Sequence, residues 1–213
     1  MYREKLEDLL QEVKEAYEIS DLKKYCIDND KEWNYALLGS KFIENPILLI
    51  GLNFGASNEK FNPQTIEDLQ NLLPFCEMTN NNLGKSFNRL KNYIRKYENI
   101  DSENILWTNY CFFRSYSDKE LTQKDFKLNE PIFEKLLATI KPQKVICVSK
   151  NLYDFLNNKS LLTAKDEKNI KINSKSEYTV IKAKLFNYDF FCLPHPNFPA
   201  TAIGRKECWD FCF

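Results

Sequence analysis

The chain has 213 residues, 43% of them apolar, with 30 basic and 30 acidic side chains that cancel and a single histidine. That size and apolar content suit one globular domain, with a helical N-terminal extension over residues 1–25 packed on it. No run of about 20 apolar residues exists, which excludes a transmembrane helix, and balanced charge weighs against strong non-specific binding to duplex DNA.

Residues 2–19 place Leu6, Leu9, Leu10, Val13 and Tyr17 at helical spacing between charges, the pattern of an amphipathic helix without a signal peptide. Residues 21–45 are mixed and give no clear element. Pro46–Gly51 is a continuous apolar run, read as a strand buried on both faces. It leads into Gly51–Ser57, read as a loop framed by two glycines, and residues 58–82 read as a long polar excursion at a binding site. Gly84–Tyr97 is predicted as a helix carrying Lys85, Arg89 and Lys96 on one face and no acid. Asn104–Tyr110 reads as a second strand, followed by an irregular segment through Asp118. Asn129–Ile140 is a helix stopped by Lys141-Pro142, Lys144–Val148 a third buried strand, and Asn151–Asn157 a further helix. Residues 158–176 read as a loop. Tyr178–Leu185 and Tyr188–Leu193 form a hairpin around Phe186-Asn187, and Gly204–Phe213 closes the chain as a short helix or coil.

Short apolar strands alternating with helices predict an α/β fold with a mainly parallel sheet, whose ligands bind outside the carboxyl ends of the strands. Three polar segments are expected there: Gly51–Ser57, the region after Asn109, and the loop holding the lone His195 between Pro194 and Pro196. The two prolines fix the backbone on either side of the imidazole. Seven cysteines show no repeating spacing, and Cys111, Cys147 and Cys192 lie in apolar runs, which suits reduced thiols and a cytoplasmic protein. Cys208 and Cys212 stand one helical turn apart. With no second pair at metal spacing they read as structural, and neither metal nor cofactor is expected.

The three segments offer two amides and an imidazole but no carboxylate pair, no Gly-x-Ser-x-Gly elbow and no P-loop. Such a set suits a leaving group that departs as a delocalised anion. Asn109 can present a donor and an acceptor to an imide edge. His195 can hydrogen-bond an oxygen on which charge develops. Asn53 can hold a water, and its weakness as a base means that bond breaking runs ahead of attack.

In order and spacing these segments resemble the uracil-DNA glycosylase superfamily over about Ile47 to Ala202. Ile47–Gly55 (ILLIGLNFG) is similar to the first motif, Gly-x-Asn-Pro-Gly in the mismatch-specific and single-strand-selective branches. Leu193–Ala200 (LPHPNFPA) is similar to the second, typically His-Pro-Ser-Pro and an intercalating residue. Ile105–Asn109 (ILWTN) resembles the strand whose terminal asparagine reads uracil, Lys141–Val148 (KPQKVICV) the strand before the last crossover, and Gly84–Leu90 (GKSFNRL) a helix start found in several branches.

The resemblance implies a three-layer α/β/α domain on a four-stranded sheet. It implies that Asn53 positions or activates the water, that Asn109 reads the base, and that His195 stabilises the departing base. Gly51, Leu52 and an aromatic, Phe54 or Phe75, would line the base. Lys85, Ser86, Arg89, Asn197 and Arg205 would meet DNA, with Phe198 as a wedge filling the gap of a flipped nucleotide. Phe54 stands where the family usually has proline and Asn197 where it has serine. The expected activity is removal of uracil or a related damaged base from DNA by a monomer. The alternatives are an inactive nucleic-acid-binding protein of the same fold and a hydrolase of a small nucleobase compound.

Overall fold

The computed structural model describes residues 2–55, 60–78, 80–98 and 104–213, excluding the side chains of 80–87 and 98. The chain divides into two compact units: Met1–Glu44, Gly51–Leu72 and Trp107–Lys141 in one, and Asn45–Ile50, Leu73–Leu106 and Pro142–Phe213 in the other.

In the first unit, helix α1 (Tyr2–Glu18) buries Leu6, Leu9, Leu10, Val13 and Tyr17, the stripe that its sequence spacing predicts. It packs on α5 (Gln123–Ile140). Residues 21–45, unassigned by pattern, contain α2 (Asp21–Asp28), whose first turn and that of α5 share one buried carboxylate. Asp125 accepts from the Asp21 and Leu22 amides through Oδ1 and from Thr122 through Oδ2. Those contacts satisfy helix-end donors that would otherwise lack partners. The polar stretch 58–82 includes α3 (Ile66–Asn71), held by a capping box at Thr65 and Asp68.

Strand β2 runs from Ile105 to Ser115, five residues past the predicted end. Its first-unit part, from Trp107 onward, is flanked by the segment 34–40, through Ala36 N–H to Phe112 O and Gly39 N–H to Trp107 O. That long-range pairing carries the strand through Cys111–Ser115, where local pattern gave an irregular segment.

In the second unit, the apolar runs Ile47–Ile50 of β1 (Ile47–Gly55) and β3 (Lys144–Cys147) pair in parallel, as do β3 and β6 (Tyr188–Cys192). The hairpin of β5 (Glu177–Leu185) and β6 turns at Phe186-Asn187 as expected, with Phe186 at a positive φ of 54°. The segment read as a loop over 158–176 holds β4 (Leu162–Lys171), antiparallel to β5. Strand order in the sheet is β2-β1-β3-β6-β5-β4, so the sheet has six strands rather than four. Its parallel centre is β1-β3-β6.

Helix α4 spans Asn80–Glu98, beginning before the predicted Gly84, and α6 (Lys150–Asn158) packs on β3. Helix α7 (Ala202–Cys212) is capped by Thr201 and lies on β4 and β5. Close approach explains Gly204: a Cβ there would stand 2.6 Å from Ile172 Cα and 2.8 Å from Lys171 O, both backbone atoms. Six of the seven cysteines are buried and all are free, Cys208 and Cys212 among the core residues of α7. No helix among the described residues is long and apolar enough to cross a membrane.

Candidate active site

Gly51, Leu52, Asn53 and Phe54 belong to β1 itself rather than to a loop after it, because the strand continues to Gly55. Asn109 likewise lies within β2, not at its end. Both corrections have one cause: each strand is extended by partners that local sequence does not reveal.

Asn53 is half-buried and its amide is oriented. Nδ2 donates to Ser115 Oγ at 2.9 Å and to Phe54 O at 3.0 Å. The Ser115 hydroxyl spends its own proton on Ser117 O at 2.8 Å, so it meets Asn53 as an acceptor. That chain fixes which end of the amide is NH2 and leaves Oδ1 as the acceptor available to a water. Ser115 is a residue that sequence reasoning missed. It stands six residues after Asn109, which an uninterrupted strand puts on the same face, but the signal was lost with the strand's end.

Asn109 is 3% exposed, and its Nδ2 has no hydrogen-bond partner among the described residues. Gly51 makes room for it: a Cβ at position 51 would overlap Asn109 Oδ1. A buried amide nitrogen without an acceptor costs roughly 1–3 kcal/mol, so Asn109 Nδ2 is a donor that a bound molecule or a water can satisfy.

The Phe54 ring that replaces proline is 3% exposed, with its centroid 5.9 Å from that of Trp107 and 5.4 Å from the Arg114 guanidinium. Arg114, also missed in the sequence, lies over Phe61 as well and donates to Gly55 O at 3.3 Å. Leu52 is half-buried. Phe75, in the second unit, is fully buried.

In the second unit, His195 follows the carboxyl end of β6 and is exposed. It lines a cavity of about 280 Å³ with Val148, Lys150, Glu177, Tyr178 and Phe198. The residues His195–Phe198 form a tight turn, closed by Phe198 N–H to His195 O at 2.8 Å. The Asn197 backbone N–H donates to His195 Nδ1 at 3.1 Å, so a neutral ring carries its proton on Nε2. Desolvation by the surrounding loop, and then the nearby Arg205 charge, hold the imidazole pKa below its ordinary 6.5. The geometry gives a neutral histidine with one outward donor.

Phe198 is half-buried, edge-on to Tyr178 at 5.7 Å. Arg89 is exposed and shares a narrow cleft with Pro194, Pro196 and Arg205. Arg205 is only 7% exposed, with its guanidinium on the carbonyls of His195 and Phe198. That placement suits holding the loop rather than meeting a phosphate. Lys85 and Ser86 fall on α4, and their side chains lie outside the described residues.

Each unit thus brings together one group of the expected residues: Gly51, Asn53 and Asn109 in the first, His195, Asn197 and Phe198 in the second. Comparison with curated proteins returns no match. The family model described as "Uracil DNA glycosylase superfamily" matches residues 44–212, a span that includes both groups, and the chain belongs to that superfamily.

Proposed function

We propose that this protein hydrolyses the N-glycosidic bond of uracil, or of a related damaged base, in DNA and leaves an abasic site. Membership of the superfamily supports a glycosylase-type function generally. The observation that carries the finer reading is Asn109, whose buried amide nitrogen has no acceptor among the described residues and whose Oδ1 lies against Gly51, where a side chain would crowd it. A base carbonyl would supply the missing acceptor while Oδ1 accepts from an imide N–H.

In this reading the neutral His195 donates Nε2–H to a base oxygen as negative charge builds on it, lowering the barrier without a net proton transfer. Asn53 Oδ1 orients the water through the Ser115 relay. An amide is a poor base, so departure of the base precedes attack. The Phe54 ring is packed against Trp107 and Arg114.

Incubation with a uracil-containing oligonucleotide followed by alkaline cleavage tests the proposal. Strand cleavage that disappears in Asn53→Ala and in His195→Ala is the expected result. An inert wild-type protein that binds the oligonucleotide with a steep salt dependence would favour the non-catalytic alternative. Release of base from a free nucleoside but not from DNA would favour the small-molecule one.

A further inference from the structure

Arg205 is an odd residue for its position. It lies in the first turn of α7, where the helix dipole disfavours a cation, and it is almost wholly buried. No carboxylate pairs with it among the described residues. Its guanidinium instead donates through Nη1 to His195 O at 3.3 Å and through Nη2 to Phe198 O at 2.7 Å. These are the first and last residues of the turn whose third residue, Asn197, fixes the His195 tautomer. A planar fork with donors at fixed spacing can bridge two carbonyls, whereas an ammonium group is a single point.

We propose that Arg205 is a positioning residue that locks the His195–Phe198 turn from beneath, so that Asn197 N–H stays on Nδ1 and Nε2 remains the outward donor. Its bearing on catalysis rests on the role given to His195 above; its bearing on the imidazole does not. Several charged groups face the ring or its loop. Arg205 reaches it from α7, Lys150 from α6 and Glu177 from β5, the last two lining the same cavity. Arg89 of α4 lies with Arg205 in the cleft behind the two prolines. Arg205 is the one among these groups that is seen to bond to the carbonyls of the turn. Its charge adds to desolvation, the larger cause, in holding the imidazole pKa down.

His195 is the only histidine in the chain, so its ring signals need no assignment. Nitrogen NMR of histidine-labelled full-length protein then reads tautomer and titration directly, in wild type, Arg205→Met and Arg205→Lys. The wild type is expected to show Nε2–H alone and a pKa below 6.5. Arg205→Met should mix the tautomers and raise that pKa. Arg205→Lys should keep the low pKa, through its charge, while still mixing the tautomers. In the glycosylase assay both variants should lose kcat, by about 100-fold for an approximately 1 Å misplacement, with KM for the oligonucleotide little changed.

If Arg205→Met does not fold, Arg205→Lys decides: a mixed tautomer supports the lock and a wild-type spectrum overturns it. Folded variants with an unchanged imidazole and a raised KM would make Arg205 a DNA contact and overturn the proposal. A wild type without glycosylase activity whose imidazole still responds to Arg205 would sink the functional reading and leave the lock standing.

Discussion

Gly51 offers the sharpest test of the role proposed for Asn109, because a second glycine four residues along the same strand serves as its control. An alanine at 51 sets a Cβ against Asn109 Oδ1, which must retreat by about 1 Å to reach ordinary contact at 3.4 Å. Asn109 is 3% exposed, so that movement has to come from a rotated amide or a shifted strand. Overpacking of this kind destabilises by about 1–3 kcal/mol. Activity should suffer more than stability, since a reading group displaced by about 1 Å loses on the order of 100-fold in rate. An alanine at 55 meets nothing within 4 Å. The measurement is single-turnover cleavage of the uracil oligonucleotide beside thermal unfolding for Gly51→Ala and Gly55→Ala. Equal rates in the two variants, with Gly51→Ala folded, would refute the assignment of Asn109 to base reading.

Three further outcomes are expected. Ser115→Ala removes the hydroxyl that orients Asn53 Nδ2; kcat should fall by about 10-fold and stability by about 0.5–1.5 kcal/mol, and an unchanged kcat would detach Ser115 from the water site. Gly204→Ala drives a Cβ into the backbone at Lys171 and Ile172, which cannot swing aside; about 1–3 kcal/mol should be lost, at roughly 2–4 °C of Tm per kcal/mol, and a wild-type melting curve would count against the close packing of α7. Because the folded His195 pKa lies below the ordinary 6.5, the unfolded chain binds more protons between the two values. The contribution of His195 to stability is therefore greatest above pH 6.5 and declines as pH falls towards the folded pKa. Urea unfolding should show a shallower pH dependence for His195→Asn than for wild type over that window, and identical slopes would contradict a depressed pKa.

Sequence pattern alone determined the elements whose stability is local or whose burial is complete. The stripe of α1 follows from 3.6-residue spacing, and the apolar runs of β1 and β3 mark strands covered on both faces. The hairpin of β5 and β6 follows from two apolar runs around a short turn. The order of motifs also made the superfamily legible. Edges and ends were different. Strand β4 buries only Leu162 and Ile170, and its charged middle reads as a loop until β5 supplies the hydrogen bonds; such charge is what keeps an edge strand from pairing with another chain. Strand β2 reaches Ser115 because residues 34–40 lie beside it. Arg205 looked like a surface cation, and only the fold of α7 against the His195 turn turned its charge inward. Periodicity records which face a residue shares with its chain neighbours, whereas the partner of a single donor is set by segments that meet only after the chain has folded.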